Sequence, residues 1–586
     1  MTAGMCFGAQ LHQGGVTFRL WAPAARRVEL VLDGSHPMTA QTDGWREITI
    51  RGAKAGTLYK YRIDGEIEVP DPASHYQPQD VTGPSEVIDH ARFEWRADTW
   101  RGRPWEDAAI LELHVGTFTA AGTFRSAIEK LDHLADTGIT AIELMPVADF
   151  AGRRNWGYDG VLLYAPDSVY GRPDDLRRLI DEAHARGLMV FLDVVYNHFG
   201  PEGNYLHRYA PAFFAAAHTS WGHAIDYRVP QVRAFAIDNA LHWLKRYRFD
   251  GLRLDAVHAI VEPGEPALLY DLSRAVGDLA AATGRHIHLV LENDDNRATL
   301  IDPLTDPPRG RYRAQWNDDY HHAWHVLLTG EDKGYYQDYA ANPRAAIARV
   351  LSSGFAYQGE ASAHRLGRRR GEASGALSPL GFVNFLQNHD QIGNRALGDR
   401  LSVEADEAAL AAALAITLLA PMPPLLFMGE EWGSSRPFPF FCDFRGSLAD
   451  AVRKGRHEEF KAAYAELGDE IPDPLADETF QSAVLDWDAR AQPGGSKRLA
   501  LVRGLLGARR EITGLLPAAS FRSARCDAVL TASWGLGGGR TLNLIANLSG
   551  DGAGAPREFR LGRSIWGGEP AEMLPPWSVF WGIGER

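Results

Sequence analysis

The chain predicts a (β/α)8 barrel, an α/β fold, set between an N-terminal β-sandwich and a small C-terminal β domain, and three observations predict it. From about residue 100 to 515, short apolar runs alternate with amphipathic stretches of helical length, the rhythm of parallel strands joined by crossover helices. Eight such runs can be counted, and four of them end in polar or acidic clusters. The flanks, 1–99 and 516–586, carry instead short strand-like runs divided by Gly- and Pro-bearing turns.

In the first flank the runs are Val16 to Trp21, Arg27 to Leu32, Trp45 to Ile50 and Leu58 to Ile63, the spacing of a sandwich. Trp21, Trp45 and Tyr59 fit its core better than a sugar-stacking surface. The barrel strands end near Val115, Met145, Val195, Asp255, Glu292, Trp316, Gln387 and Met428. Between the second and third lies a helix that starts at Pro173 and Asp174, places Leu176, Leu179, Ile180 and Ala183 on one face, and stops at Gly187. Ala408 to Gly429 is free of charge, but Pro421, Pro423 and Pro424 divide it into a helix and a buried strand, so it is no membrane span. Glu430 to Gly495 is long for a βα connection and is expected to wall the cleft, ahead of a helix over Ser496 to Ile512. The last flank has runs at Ala528 to Trp534, Thr541 to Asn547 and Ser578 to Trp581.

The chain has 586 residues, 45% hydrophobic and 23% charged, with a net charge of −14. An acidic surface argues against nucleic acid or anionic membrane as the main partner. Cys6, Cys442 and Cys526 are odd in number and far apart, as in a reducing compartment. No basic region followed by an apolar run opens the chain, so the expected location is cytoplasmic.

The chemistry gathers at strand ends. In Gly251-Leu252-Arg253-Leu254-Asp255, period-two alternation puts Arg253 and Asp255 on one face. The next apolar run, His286 to Leu291, ends in Glu292. Neighbouring parallel strands lie about 4.8 Å apart, which brings the two carboxyls near the ~5–5.5 Å of a double-displacement glycosidase. Asp193-Val194-Val195-Tyr196-Asn197-His198 and Asn388-His389-Asp390-Gln391-Ile392-Gly393-Asn394 likewise pass from apolar to polar. A structural ion-pair network around Arg253 would explain one such cluster, but not four at corresponding strand ends. Arg253 supplies the counter-charge an attacking Asp255 needs, and burial beside Asp255 would keep a proton on Glu292.

These four runs resemble the signature regions of the α-amylase superfamily, glycoside hydrolase family 13. The resemblance implies Asp255 as nucleophile, Glu292 as general acid/base and Asp390 as the carboxylate that stabilises the transition state. It further implies Arg253, His198 and His389 as groups holding the cleaved sugar, and Tyr158, after the second strand, as a stacking aromatic. Asn197 stands where many α-amylases ligate calcium; the other ligands have no match, and neither a metal nor a cofactor is expected. His321 and His325, with Asp318 near, are spaced as helix ligands could be, yet the chemistry needs no metal.

Further runs, Leu113 to Thr119, Gln315 to His322, Gln387 to Asn394 and Phe427 to Trp432 followed by Pro437 to Phe444, resemble the maltooligosyltrehalose trehalohydrolase family within that superfamily. That implies cleavage of the α-1,4 bond beside a terminal α,α-1,1-linked pair, with maltooligosyl-trehalose and related α-glucans as partners. The groups expected to read the leaving disaccharide are His258, Asp318, Asp319, Tyr320, His321, Gln391 and Asn394; Trp432 and Phe438 to Phe441 are expected mostly to pack. A branching or debranching enzyme of the same superfamily, and a non-catalytic carbohydrate-binding protein, are the alternatives.

Overall fold

The computed structural model describes residues 7–219, 222–261, 267–307, 309–461, 463, 465 and 468–585; Cys6 lies outside them. Eight parallel strands form the central sheet: β1 (Ile110–Leu113), β2 (Ala141–Leu144), β3 (Met189–Val194), β4 (Gly251–Leu254), β5 (His288–Leu291), β6 (Ala314–Trp316), β7 (Phe382–Val383) and β8 (Leu425–Phe427). β8 pairs with β1, and a bridge from Asn384 to Pro424 joins the ends of β7 and β8, so the sheet closes into a barrel. Every strand residue is buried, which is why the strands read as continuous apolar runs.

β7 ends four residues before the expected Gln387. The chain leaves the ladder at Asn384, whose side-chain oxygen accepts from Asn317 Nδ2 at 2.9 Å. β1 stops at Leu113 because the backbone from Val115 to Phe118 turns into one helical turn. At the start of β4, a Cβ on Gly251 would lie 2.5 Å from the His288 carbonyl oxygen, so only glycine lets β4 and β5 approach as they do.

The helix Pro173–Ala185 buries Leu176, Leu179, Ile180 and Ala183, and Glu407–Leu419 is buried nearly all round with Asp406 capping it. No helix among the described residues is long and apolar enough to cross a membrane. The N-terminal strands form two sheets, and all seven aromatic side chains between residues 7 and 76, Trp21, Trp45 and Tyr59 included, are buried. The C-terminal strands fold into a five-stranded sheet tied to the barrel by Trp534 Nε1 donating to Leu351 O and Trp581 Nε1 to Ala415 O. One apolar cluster runs through all three parts.

Candidate active site

The parallel ladder continues one step past β4 and β5, as Asp255 N donates to Val194 O and Glu292 N to Leu254 O, both at 3.0 Å. Asp255 and Glu292 are therefore delivered side by side. Arg253, fully buried, lies beneath them: Nη1 donates to Asp255 Oδ1 at 2.8 Å and to Asp193 Oδ2 at 2.7 Å, and Nη2 sits 3.3 Å from Glu292 Oε2. Its guanidinium also stacks 4.1 Å from the Trp316 ring centre. No edge of this cation reaches the cleft. Its expected role of holding sugar is not what its contacts support; it holds carboxyls.

Ala256 has φ of 40°, a left-handed conformation that costs a non-glycine residue about 1–2 kcal/mol. That turn aims Ala256 N at Glu292 Oε2, 2.6 Å away. With Oε2 held in this way, Glu292 still lines the cleft. Burial pushes the Glu292 carboxyl well up, Arg253 opposes this, and Asp255, Asp390 and Asp318 reinforce it. Asp193 is pushed up to about 7, chiefly by burial, with Arg253 pulling down and Asp255 pushing up.

Asp390 comes from the short helix His389–Gly393, whose N-terminus Asn388 caps. Its side chain is 40% exposed, against 12% for Asp255 and 15% for Glu292, so it stands at the mouth while the other two lie at the floor. The His389 ring stacks on Tyr158, centroids 5.0 Å apart, and Tyr158 donates to Asp193 at 2.5 Å. His198 is oriented from both sides, by Asn197 Oδ1 at 2.7 Å and Tyr158 O at 2.9 Å. Asn197 also donates to Asp255 at 3.4 Å.

These groups line a cleft of about 520 Å³ at the C-terminal end of the barrel, within the range of small-ligand sites. Asp255, Glu292, Asp390, Tyr158, His198, His389, His258, Asp318, Gln391 and Asn394 all line it.

Four expected residues do not line it: Arg253, held beneath the carboxyls, and three more. Asp319 is buried under Arg370, Asn296 and the amides of Ala356 and Tyr357; Tyr320 bonds Thr417; His321 bonds the Leu386 carbonyl and Tyr336. The reason is periodicity: Asp318 begins the helix Asp318–Thr329, and the residue that shares its face is His322, four on. His322 does line the cleft, with Trp156, Asp294, Tyr335, His364, Phe440, Arg456 and Glu459. The i, i+4 spacing could have found His322; nothing local marks Tyr335 or His364. Trp432, Phe438 and Phe441 are buried packing, as expected, while Phe440 reaches the cleft.

Gly393 packs directly against a wall residue, since a Cβ there would fall 1.9 Å from the Trp156 ring. Gly393→Ala is expected to displace that ring and raise KM several-fold while the carboxyl centre stays intact; steady-state kinetics check this, and an unchanged KM would exclude Trp156 from binding.

Among the described residues, His75, His90 and His242 are the group with metal-ligand spacing, their ligand atoms lying within 4.8 Å of one another. Arg177 donates to His90 Nδ1, so His90 Nε2 carries the proton it gives to His75 Nδ1, 3.0 Å away. That chain consumes the Nδ1 lone pairs of His90 and His75, beside a guanidinium that repels a cation, while His242 Nε2 is buried without a hydrogen-bond partner. His321 and His325 are similarly engaged, His325 by Glu331 at 2.9 Å.

Residues 96–213 match the model of the alpha amylase catalytic domain, 6–76 that of carbohydrate-binding module 48 (isoamylase N-terminal domain), and 519–581 a domain of unknown function, DUF3459. The chain is 42% identical to the malto-oligosyltrehalose trehalohydrolase of Deinococcus radiodurans over 85% of its own length and 81% of the other's. It is 45% identical to that of Mycobacterium tuberculosis, with 82% and 84% covered. The chain belongs to the malto-oligosyltrehalose trehalohydrolase family. A crystal structure of a candidate alpha amylase from Salmonella typhimurium superposes with a TM-score of 0.94 at 44% identity, covering 99% of this chain and all of the other. A pullulanase of Paenibacillus barengoltzii, at 20% identity and a TM-score of 0.73 with 100% and 95% covered, shares the fold. The chain is therefore a glycoside hydrolase of the α-amylase superfamily.

Proposed function

We propose that the chain hydrolyses the α-1,4-glucosidic bond beside the terminal trehalose of a maltooligosyl-trehalose, releasing trehalose with retention at the anomeric carbon. The observation that carries this is the convergence of Asp255, Glu292 and Asp390 on one cleft in a chain of this family. Asp255 attacks the anomeric carbon while Glu292 gives its proton to the departing trehalose oxygen. Asp390 and the ring hydroxyl contact of His389 stabilise the oxocarbenium-like transition state, with His198, held by Asn197 and Tyr158, shaping the floor beside them. Water then gives a proton back to Glu292 and displaces Asp255. The shared guanidinium favours the short carboxyl separation this double displacement needs. The free thiols of Cys442 and Cys526 support a reducing, cytoplasmic location.

The leaving group lies on Glu292's side of the cleft. There His258, Asp294, Asp318, His322, Tyr335 and His364 form one wall, with His322 and Tyr335 rings 4.6 Å apart. Asp294 is gripped by Arg365 and by Arg370 at 3.0 Å, and its carboxyl is pulled down by both against burial. Asp318 is pushed up to about 7, by burial and then by Asp294. An ionised acceptor next to a carboxyl able to donate suits a disaccharide rich in hydroxyls. Gln391 and Asn394, also expected to read the leaving disaccharide, line the same cleft with Trp156, Phe440 and Arg456.

The test is product analysis with equal-length maltooligosaccharides, with and without a terminal trehalose. Rapid trehalose release from the first and slow cleavage of the second are expected. Equal cleavage, or new α-1,6 branches, would overturn the reading. Asp318→Asn is expected to shrink the preference about tenfold, the worth of one ~1.4 kcal/mol contact. Above about pH 7, where Asp318 is itself ionised, the substitution also removes a negative charge that holds the proton on Glu292, so the alkaline limb of kcat/KM, where Glu292 deprotonates, moves to lower pH. An unchanged preference and limb would remove Asp318 from the wall.

A further inference from the structure

The layer of side chains beneath the catalytic carboxyls contains two acids that the mechanism above does not use, Glu112 on β1 and Glu143 on β2, directly opposite each other in register and each 1% exposed. Neither oxygen of Glu143 has a hydrogen-bond partner. Glu112 has both engaged, and by the same residue: Oε2 accepts from the backbone N–H of His389 at 3.1 Å, and Oε1 from its ring Nδ1. Resting on the reading of His389 as a sugar-holding group, we propose that Glu112 is a positioning residue whose two-point clamp keeps the His389 ring cationic and its Nε2–H directed into the cleft.

The groups around the ring make Glu112 the one that decides its charge. Glu143 is pushed well up by burial, with Glu112 and Asp193 adding to it, so it faces the ring as a neutral acid. Burial pulls His114, next to the ring, down to about 4, and pushes the stacked Tyr158 phenol well up, so both are neutral too. Arg253 opposes a second cation, and Asp390 Oδ1, 3.5 Å from Nε2, favours one. Trp156 and Trp316 complete the cage with apolar faces. Burial pulls His389 down, and Glu112 followed by Asp390 overcomes it, bringing the ring up to about 9.

The consequence is chemical. A neutral ring offers its proton at one nitrogen, and a carboxylate at Nδ1 would claim it, leaving Nε2 a bare acceptor toward the sugar. A cationic ring donates at both, so His389 can give a hydrogen bond to a sugar hydroxyl without surrendering Glu112.

Nitrogen-15 spectra of the imidazoles in the full-length chain test this without substrate, the His389 signals being those lost in His389→Gln. The ring is expected to remain doubly protonated at pH 8, and in Glu112→Gln to titrate about 1–3 pH units lower, the worth of one close opposite charge. In kinetics with maltooligosyl-trehalose, Glu112→Gln should approach wild-type kcat/KM near pH 5.5 and lose it progressively above pH 6.5. Glu112→Asp, which keeps the charge, should lower kcat without moving the midpoint. A wild-type ring already neutral at pH 7, or a Glu112→Gln profile parallel to the wild type, would overturn the proposal. Because the titration is read in the free protein, a failure of the substrate assignment leaves it interpretable; if Glu112→Gln does not fold, the wild-type and Glu112→Asp titrations decide.

Discussion

Glu292→Gln is expected to lower kcat on maltooligosyl-trehalose by about 10³–10⁴-fold, the upper part of what a positioned acid contributes. The amide oxygen of glutamine can still accept from Ala256 N, which Glu292 Oε2 now does at 2.6 Å, so the backbone turn at Ala256 and the cleft should survive. What is lost is the proton for the departing oxygen. A maltosyl fluoride, whose leaving group needs no proton, separates this from a general loss of structure: formation of the glycosyl-enzyme from the fluoride should fall by less than about tenfold. Equal damage to both substrates would show that Glu292 serves the fold rather than proton transfer.

Arg253→Met is expected to be the most destabilising change in the site, by about 3–5 kcal/mol, because it leaves Asp193, Asp255 and Glu292 buried without the cation they share. The deficit should depend on pH. Without Arg253 the carboxyls of the folded state hold protons to higher pH than those of the unfolded chain. The folded state then binds more protons, and stability falls as pH rises through that window. Denaturant unfolding at pH 5 and pH 8 checks this: the variant should lie closer to wild type at pH 5. A deficit independent of pH would mean that lost packing against Trp316, not lost charge, is what the arginine contributes.

The barrel was legible because parallel strands buried on both faces leave continuous apolar runs, and because four of those runs end in polar clusters at the same end of the sheet. Asp255 and Glu292 could be paired from the alternation in Gly251 to Asp255 and the apolar run before Glu292. The wall facing the leaving sugar was not legible in the same way. A contiguous polar run, Asp318 to His321, was expected to face the sugar, whereas a helix shows a cleft one residue in three or four, so Asp318 and His322 arrive while Asp319, Tyr320 and His321 turn into the protein. Tyr335 and His364 sit in the long connection between β6 and β7, where neither periodicity nor capping announces which side chain will meet a pocket. Arg456 and Glu459 belong to the segment expected to wall the cleft, but its helix, Gly446–Glu459, has no local feature that singles them out.

The nucleophile and acid stand on strands, while Tyr335 and His364 stand on a connection whose anchors, Arg365 on Asp294 and Asp295, and Arg370 on Asp294 and Asp319, close within the loops themselves. Specificity is thus heritable separately from reactivity wherever a substitution in that connection spares Asp318, whose charge also bears on the Glu292 proton. Substitutions in that connection can be explored, by natural drift or in a laboratory library, without disturbing the strand ends, and a relative with a different loop can acquire a different sugar preference on the same catalytic base.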